Sequence, residues 1–293
     1  MKRVAIYGRL FQDQHIPYIQ ELFDELNRRG VELLIYDPFF DYLKARIQLP
    51  DHAGTFIHSK QLIEFADILL SVGGDGTILD SATLVKDSGI PVAGINTGRL
   101  GFLSTIRGEG INEALAMIFD GEFYYDDRTM IALNTNQDLF GDVHFALNEL
   151  VVHKKDTSAM ISIHTYLDDE FLNTYWADGL IISTPTGSTA YSLSCGGPII
   201  QPNSANFVIT PVAPHNLNSR PFVIPDHKKI RLKVEGRSKY FLVSLDSRME
   251  TIDSNMELVI EKYPAKMRLL RLNGQTFLKT ISNKLHWGLD QRN

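Results

Sequence analysis

Cysteine is almost absent from this chain. The 293 residues contain one, Cys195, which excludes an intramolecular disulfide and any cysteine-based zinc cluster. No Gly-Lys pair occurs anywhere, so the Walker phosphate loop is excluded as well. Long apolar runs are missing: no span approaches the roughly 20 residues needed to cross a bilayer. The start, Met1-Lys2-Arg3, leads into an apolar run broken at Gly8-Arg9, too short for a signal peptide, and the cytoplasm is the expected compartment. Excess positive charge is also lacking. With 29 Lys and Arg against 35 Asp and Glu, the net charge is -6. Neither nucleic acid nor a membrane is expected as a partner, and an anionic ligand has to be held by local basic groups, backbone amides or metal.

What is present is enough apolar material, 44% of 293 residues, for a large core and for two domains. Arg3 to Tyr7 reads as a strand. Ile16, Ile19, Leu22, Phe23 and Leu26 mark an amphipathic helix stopping near Gly30, and Val31 to Ile35 is the next strand. A helix around Lys60 to Phe65, a strand Asp67 to Val72, a helix Thr77 to Val85 and a strand Pro91 to Ile95 continue the alternation expected of a parallel, doubly wound, Rossmann-like sheet. After about Tyr124 the pattern changes to strand alternation. Ile161 to Leu167 turns at Asp168-Asp169 and returns through Phe171 to Trp176, and Ile230 to Val234 and Tyr240 to Leu245 flank Gly236-Arg237 as a second hairpin. The expected organisation is an α/β domain over 1–124, joined by a returning segment 275–293, and a mainly antiparallel β domain over 125–274.

The run Gly73-Gly74-Asp75-Gly76-Thr77 ends the third of these strands. Glycines let backbone amides approach a ligand, and the helix that follows offers unpaired N–H groups and a positive dipole end to phosphate. The dinucleotide fingerprint needs a third glycine where Leu79 stands, so it does not apply. Asp75 would repel phosphate unless a metal, or a proton it is about to accept, makes its charge useful.

Four further segments are polar or glycine-rich. Asn96 to Leu103 follows the neighbouring strand and so reaches the same carboxyl edge of the sheet, where open α/β folds bind ligands. Asn148-Glu149 pairs an amide that donates and accepts with a carboxylate that only accepts, which suits ribose hydroxyls. Asp178 to Ser194 runs from a strand into a loop with seven Ser and Thr from Ser183 to Ser194, and with Tyr191 as a stacking face. Thr210 to Pro221 is stiffened by three prolines, and its His215 is assigned no chemistry.

These blocks together resemble prokaryotic NAD kinases over nearly the whole chain: GGDGT at Gly73, NTGRLGFLS at Asn96, NELVVHK at Asn148, DGLIISTPTGSTAYSLSCGGPII at Asp178 and APHNLNSRPFVIP at Ala213. The stretch Phe277 to Gly288 resembles the family's ending, which returns to pack on the first domain. The chain departs from the family at Asp246-Ser247-Arg248, where Gln commonly takes the place of Arg248.

The resemblance implies transfer of the γ-phosphoryl of ATP to the 2'-hydroxyl of the adenosine ribose of NAD, with magnesium carried by the nucleotide and no separate metal site. It implies Asp75 as proton acceptor and Gly73, Gly74, Gly76 and Thr77 around the ATP phosphates. It places Asp75, Gly76, Asn148, Glu149, Asp178 and the segment Thr189, Ala190, Tyr191, Ser192, Leu193 and Ser194 on NAD, with Trp176, Ala213 and Arg248 at further contact positions. A homo-oligomer, commonly a tetramer, goes with it, the Ala213 to His215 stretch reaching a neighbouring subunit. A lipid kinase shares GGDGT, a phosphofructokinase-type sugar kinase uses a similar glycine-Asp loop, and a nucleotide-sensing module would keep the nucleotide blocks but have no use for Asp75. The hydroxyl-rich block at Asp178 sets the NAD kinase reading apart from the lipid kinase, the lack of cationic sugar-phosphate clamps from the sugar kinase, and the presence of Asp75 from the sensing module.

Overall fold

Apolar strands alternating with amphipathic helices build a parallel sheet from the first third of the chain. A computed structural model describes residues 1–98, 101–155 and 159–286. The sheet runs Gly54–Phe56, Glu32–Tyr36, Arg3–Gly8, Ile68–Val72, Val92–Asn96, each neighbouring pair parallel. Ile68–Val72 and Val92–Asn96 are buried at every position, as strands covered on both faces must be. Ile19, Leu22, Phe23 and Leu26 of the Ile16–Arg28 helix are buried as their spacing predicts, and they share a core with Ile111, Ala114, Leu115 and Ile118 of a helix Ile111–Asp120. That helix and another at Asp37–Leu43 were not singled out in the sequence. The order places the carboxyl ends of Arg3–Gly8, Ile68–Val72 and Val92–Asn96 side by side at one edge.

The chain divides into two compact units, Met1–Asp127 with Met267–Asn293, and Arg128–Lys266. The first unit regains the C-terminal segment through specific bonds. Leu269 pairs in parallel with Val92, Gln275 exchanges hydrogen bonds with the Thr105 hydroxyl and carbonyl, and Tyr124 donates to the Gln275 carbonyl at 2.7 Å. A helix Phe277–Leu285 follows, its first turn capped by the Thr276 hydroxyl, which accepts the Lys279 N–H at 3.3 Å. The expected Trp287-Gly288 ending lies outside the described residues, as do Arg99 and Leu100 of the Asn96 block.

The second unit is built on two antiparallel sheets. One runs Phe222–Pro225, Asn206–Val212, Gly179–Ser183, Glu149–Lys154, Tyr240–Leu245, Arg248–Asp253. The other contains Glu170–Ala177, Ile161–Leu167, Ile230–Glu235 and the start of Glu257–Leu272. The hairpin turning at Asp168-Asp169 forms as expected, with both turn residues at positive φ. The second expected hairpin does not. Ile230–Glu235 pairs with Ile161–Leu167 and Glu257–Leu272, whereas Tyr240–Leu245 pairs with Glu149–Lys154 and Arg248–Asp253, so the chain changes sheet at Gly236-Arg237. Leu232 and Val234 meet Phe241 and Val243 in one core between the sheets. Two strands facing each other across a core alternate as two paired strands do, which is why the pattern misled. Among the described residues no helix is long and apolar enough to cross a membrane.

Candidate active site

The loop after Ile68–Val72 is bent by Gly73, at φ +151, where an added β-carbon would lie 2.2 Å from the Thr77 hydroxyl. Its N–H donates to the Ile95 carbonyl at 2.8 Å, tying the loop to the neighbouring strand. The helix begins at Asp75, with Gly74 as N-cap, two residues before the expected start. Apolar periodicity begins only at Ile78, so it could not reveal the polar first turn. Among the described residues, nothing lies within 4 Å of where a side chain would begin at Gly74 or Gly76. The surface in front of these glycines is open to a phosphate.

Asp75 is gripped by the second glycine-rich segment. Its Oδ2 accepts the Phe102 N–H at 2.7 Å, and its Oδ1 accepts those of Leu103 and Ser104 at 3.0 and 2.9 Å. The loop in turn is held by Arg271, buried with 5% exposure, which donates to the carbonyls of Leu103 and Phe102 at 2.8 and 3.1 Å and lies 3.4 Å from Asp126. An ionised carboxylate offers about four acceptor sites. Among the described residues three N–H groups take such sites, and Oδ2, with one of them, has room to accept an alcohol. Sequence reasoning missed Arg271; its signal was a lone cation in the apolar run Leu269-Leu270-Arg271-Leu272.

In the second unit the Asn148-Glu149 pair and the hydroxyl loop come together. Thr184 donates its N–H to the Asn148 carbonyl at 2.9 Å and its hydroxyl to the Leu147 carbonyl at 2.6 Å, and Ser183 is in register with Glu149. The N–H groups of Leu147, Asn148 and Glu149 all donate to the Asp246 carboxylate, at 2.8, 2.8 and 3.2 Å. Burial pushes the Asp246 carboxyl up, opposed by these three donors and by Arg248. Glu149 has no such donors. Its Oε2 is buried and has no hydrogen-bond partner among the described residues, and burial, with the Asp246 charge added, pushes its carboxyl up to about 8. Burial therefore favours the protonated form of Glu149, which can donate as well as accept. An unmet buried acid calls for a polar ligand.

Most of the loop's hydroxyls serve the fold. Ser192 bonds the Thr210 hydroxyl at 2.8 Å, Ser188 donates to the Pro185 carbonyl at 2.7 Å, Thr189 donates to the Thr186 carbonyl at 3.2 Å, and Thr186 accepts from Arg128 at 3.2 Å. Ala190 links a short turn, Gly187–Thr189, to the helix Tyr191–Ser194 that carries Leu193. Tyr191 is 37% exposed, bonds His153 Nε2 at 3.1 Å and lies parallel to that ring within 7°. Burial pushes the His153 imidazole down, with Lys154 acting the same way and Asp178 opposing. Asp178 is itself paired with Lys154 at 2.5 Å. Trp176, half exposed, tilts against His215 with ring centroids 4.3 Å apart, and Ala213 beside it has φ +46. Arg248 turns inward to donate to the carbonyls of Val143 and Phe145.

A parallel sheet that delivers a glycine-flanked carboxylate to a helix start suits a phosphate group, and a β unit with an unmet buried acid near an exposed tyrosine suits a polar, ring-bearing ligand. Comparison with known proteins gives the family. The ATP-NAD kinase N-terminal domain matches residues 6–123 and the ATP-NAD kinase C-terminal domain matches residues 147–272. The chain is 48% identical over 290 residues to the NAD kinase of Cytophaga hutchinsonii, covering 99% of each chain. In fold it is similar to yeast NADH kinase in complex with NADH, at a TM-score of 0.89 and 21% identity, covering 99% of this chain and 89% of that one. It is also similar to an NAD kinase from Archaeoglobus fulgidus in complex with ATP, at a TM-score of 0.72 and 24% identity, covering 97% and 98%. The chain belongs to the NAD kinase family, and by that membership it is an enzyme that phosphorylates NAD with ATP to make NADP.

Proposed function

We propose that the chain transfers the γ-phosphoryl of ATP to the 2'-hydroxyl of the adenosine ribose of NAD, with Asp75 orienting that hydroxyl and accepting its proton. The observation that carries this is the setting of the Asp75 carboxylate, which among the described residues accepts the N–H groups of Phe102, Leu103 and Ser104, with a single one on Oδ2. Phosphoryl transfer has a loose transition state, so the acceptor takes the proton late and its main task is alignment. ATP phosphates lie on the open backbone of Gly73, Gly74, Gly76 and Thr77, where the helix start supplies N–H groups.

Magnesium fits this site as an ion that travels on the nucleotide. The loop contributes one carboxylate, already turned to three N–H donors, so magnesium would be held mainly by the nucleotide and water, where it would neutralise phosphate charge. NAD is assigned to Asn148, Glu149, Asp178, Tyr191 and the loop from Thr189 to Ser194, with Trp176 and Ala213 at the edge of the site. Two arrangements support this assignment, the unmet Glu149 Oε2 and the exposed Tyr191 ring braced by His153. Arg248 is assigned to the support of Val143 and Phe145, to whose carbonyls it donates. A cytoplasmic homo-oligomer, tetrameric as the family resemblance implies, completes the proposal; light scattering of the purified chain tests the assembly. For the activity, the test is incubation with ATP, magnesium and NAD. The expected product is NADP with its phosphorus resonance at the adenosine 2' position, and a phosphate at the 3' position or on another group would contradict the assignment.

A further inference from the structure

A triphosphate brings several negative charges, and the phosphate loop Gly73–Thr77 contains no cation, only Asp75. Charge balance has to come from neighbouring segments. Of the two strands flanking Ile68–Val72, one is followed by Arg9 and the other, among the described residues, by Arg107. Arg9 is the one built into the loop's surroundings. Gly8 is in register with Val72, the residue before Gly73, and the Arg9 N–H reaches the Val72 carbonyl at 3.4 Å. Its guanidinium stands 2.5 Å from Asp80, in the helix Asp75–Val85 whose first turn is the loop itself. The Tyr7 hydroxyl donates to the same Asp80 oxygen at 3.1 Å. Burial, then the Asp80 charge, pushes the Tyr7 hydroxyl up to about 12, so it remains a donor.

We propose that Arg9 is a binding residue for the triphosphate of ATP, aimed by Asp80 and Tyr7. This rests on the proposed placement of ATP on the phosphate loop. The Arg9 side chain is 58% exposed although its partner Asp80 is only 18% exposed. A guanidinium has five N–H donors in a planar fork, and the Asp80 contact leaves the outward ones for phosphate oxygens. A purely structural ion pair has no need of that geometry, since an exposed pair contributes little to stability. Among the described residues no bond ties the Arg107 side chain to the helix Asp75–Val85.

The test is steady-state kinetics of the full chain with ATP and NAD varied separately, for Arg9→Gln, Arg9→Lys and Arg107→Gln. Arg9→Gln is expected to raise the KM for ATP by about ten- to a hundredfold, the loss of a charged hydrogen bond, with the KM for NAD unchanged. Arg9→Lys keeps the charge but not the fork, and is expected to raise the KM for ATP by about threefold or more. It carries the test alone if Arg9→Gln does not fold. An unchanged KM for ATP in the Arg9 variants, an equal rise in both KM values, or a larger rise in Arg107→Gln would each overturn the proposal. Wild-type protein that makes no NADP would overturn the proposed function and this inference together, whereas active wild type with unaffected Arg9 variants would overturn this inference alone.

Discussion

A β-carbon on Gly101 would lie 1.7 Å from Asp75 Oδ1, closer than any two unbonded atoms can stand. The two residues belong to different sequence blocks, and the glycine of one is required by the carboxylate of the other. Gly101→Ala must displace either Asp75 or the loop whose N–H groups hold it. The expected outcome is a fall in kcat of about a hundredfold, the scale of a 1 Å misplacement of a reacting group, with little change in thermal stability. Stopped-time NADP assays and a melting curve check it together.

Glu149 gives a pH prediction. Between its ordinary value of 4.5 and its folded value of about 8, the folded protein retains a proton that the unfolded chain has released. Unfolding then releases a proton, so stability falls as pH rises through that window, by about 1.4 kcal/mol per unit. Glu149→Gln removes this contribution. Denaturant melts should show the variant more stable than wild type near pH 8 and equal to it below pH 4.5, while NAD binding weakens. Parallel stability curves for the two proteins would show that Glu149 is ionised in the fold.

Much of this was legible in the sequence because the chemistry is concentrated in short blocks. The strand leading to Asp75 and the helix after it followed from apolar spacing, and the Asn148, Asp178 and Ala213 blocks carried the family. What was not legible depends on residues far apart in the chain. Asp246 reaches back to the Leu147–Glu149 backbone and Arg271 to the Phe102–Leu103 backbone; a lone cation in an apolar run marks Arg271 as unusual, but no local spacing names either distant partner. The wealth of hydroxyls in the loop points to ligand contacts, and within the fold those of Ser188, Thr189 and Ser192 also bond to the protein. Composition gives the number of hydroxyls and not their direction.

Substrate choice follows from a single hydroxyl aimed at Asp75. The compound 2'-deoxy-NAD keeps nearly all groups that the second unit can contact, so calorimetry should show it binding within about tenfold of NAD. It should yield no phosphorylated product. Labelled phosphate transferred to it from ATP at a rate near that for NAD would show that the acceptor hydroxyl is another one.

The most direct test of the central claim is single-turnover chemistry in Asp75→Asn, with NAD binding measured on the same protein. The amide keeps the shape of the side chain, loses the proton acceptor and leaves one oxygen for N–H groups that now meet two. The account predicts a transfer rate lower by about a hundred- to ten-thousandfold, with NAD affinity retained within a few-fold. Transfer within a few-fold of wild type, in a variant that binds NAD normally, would contradict the role of Asp75 as the acceptor of the 2'-hydroxyl proton.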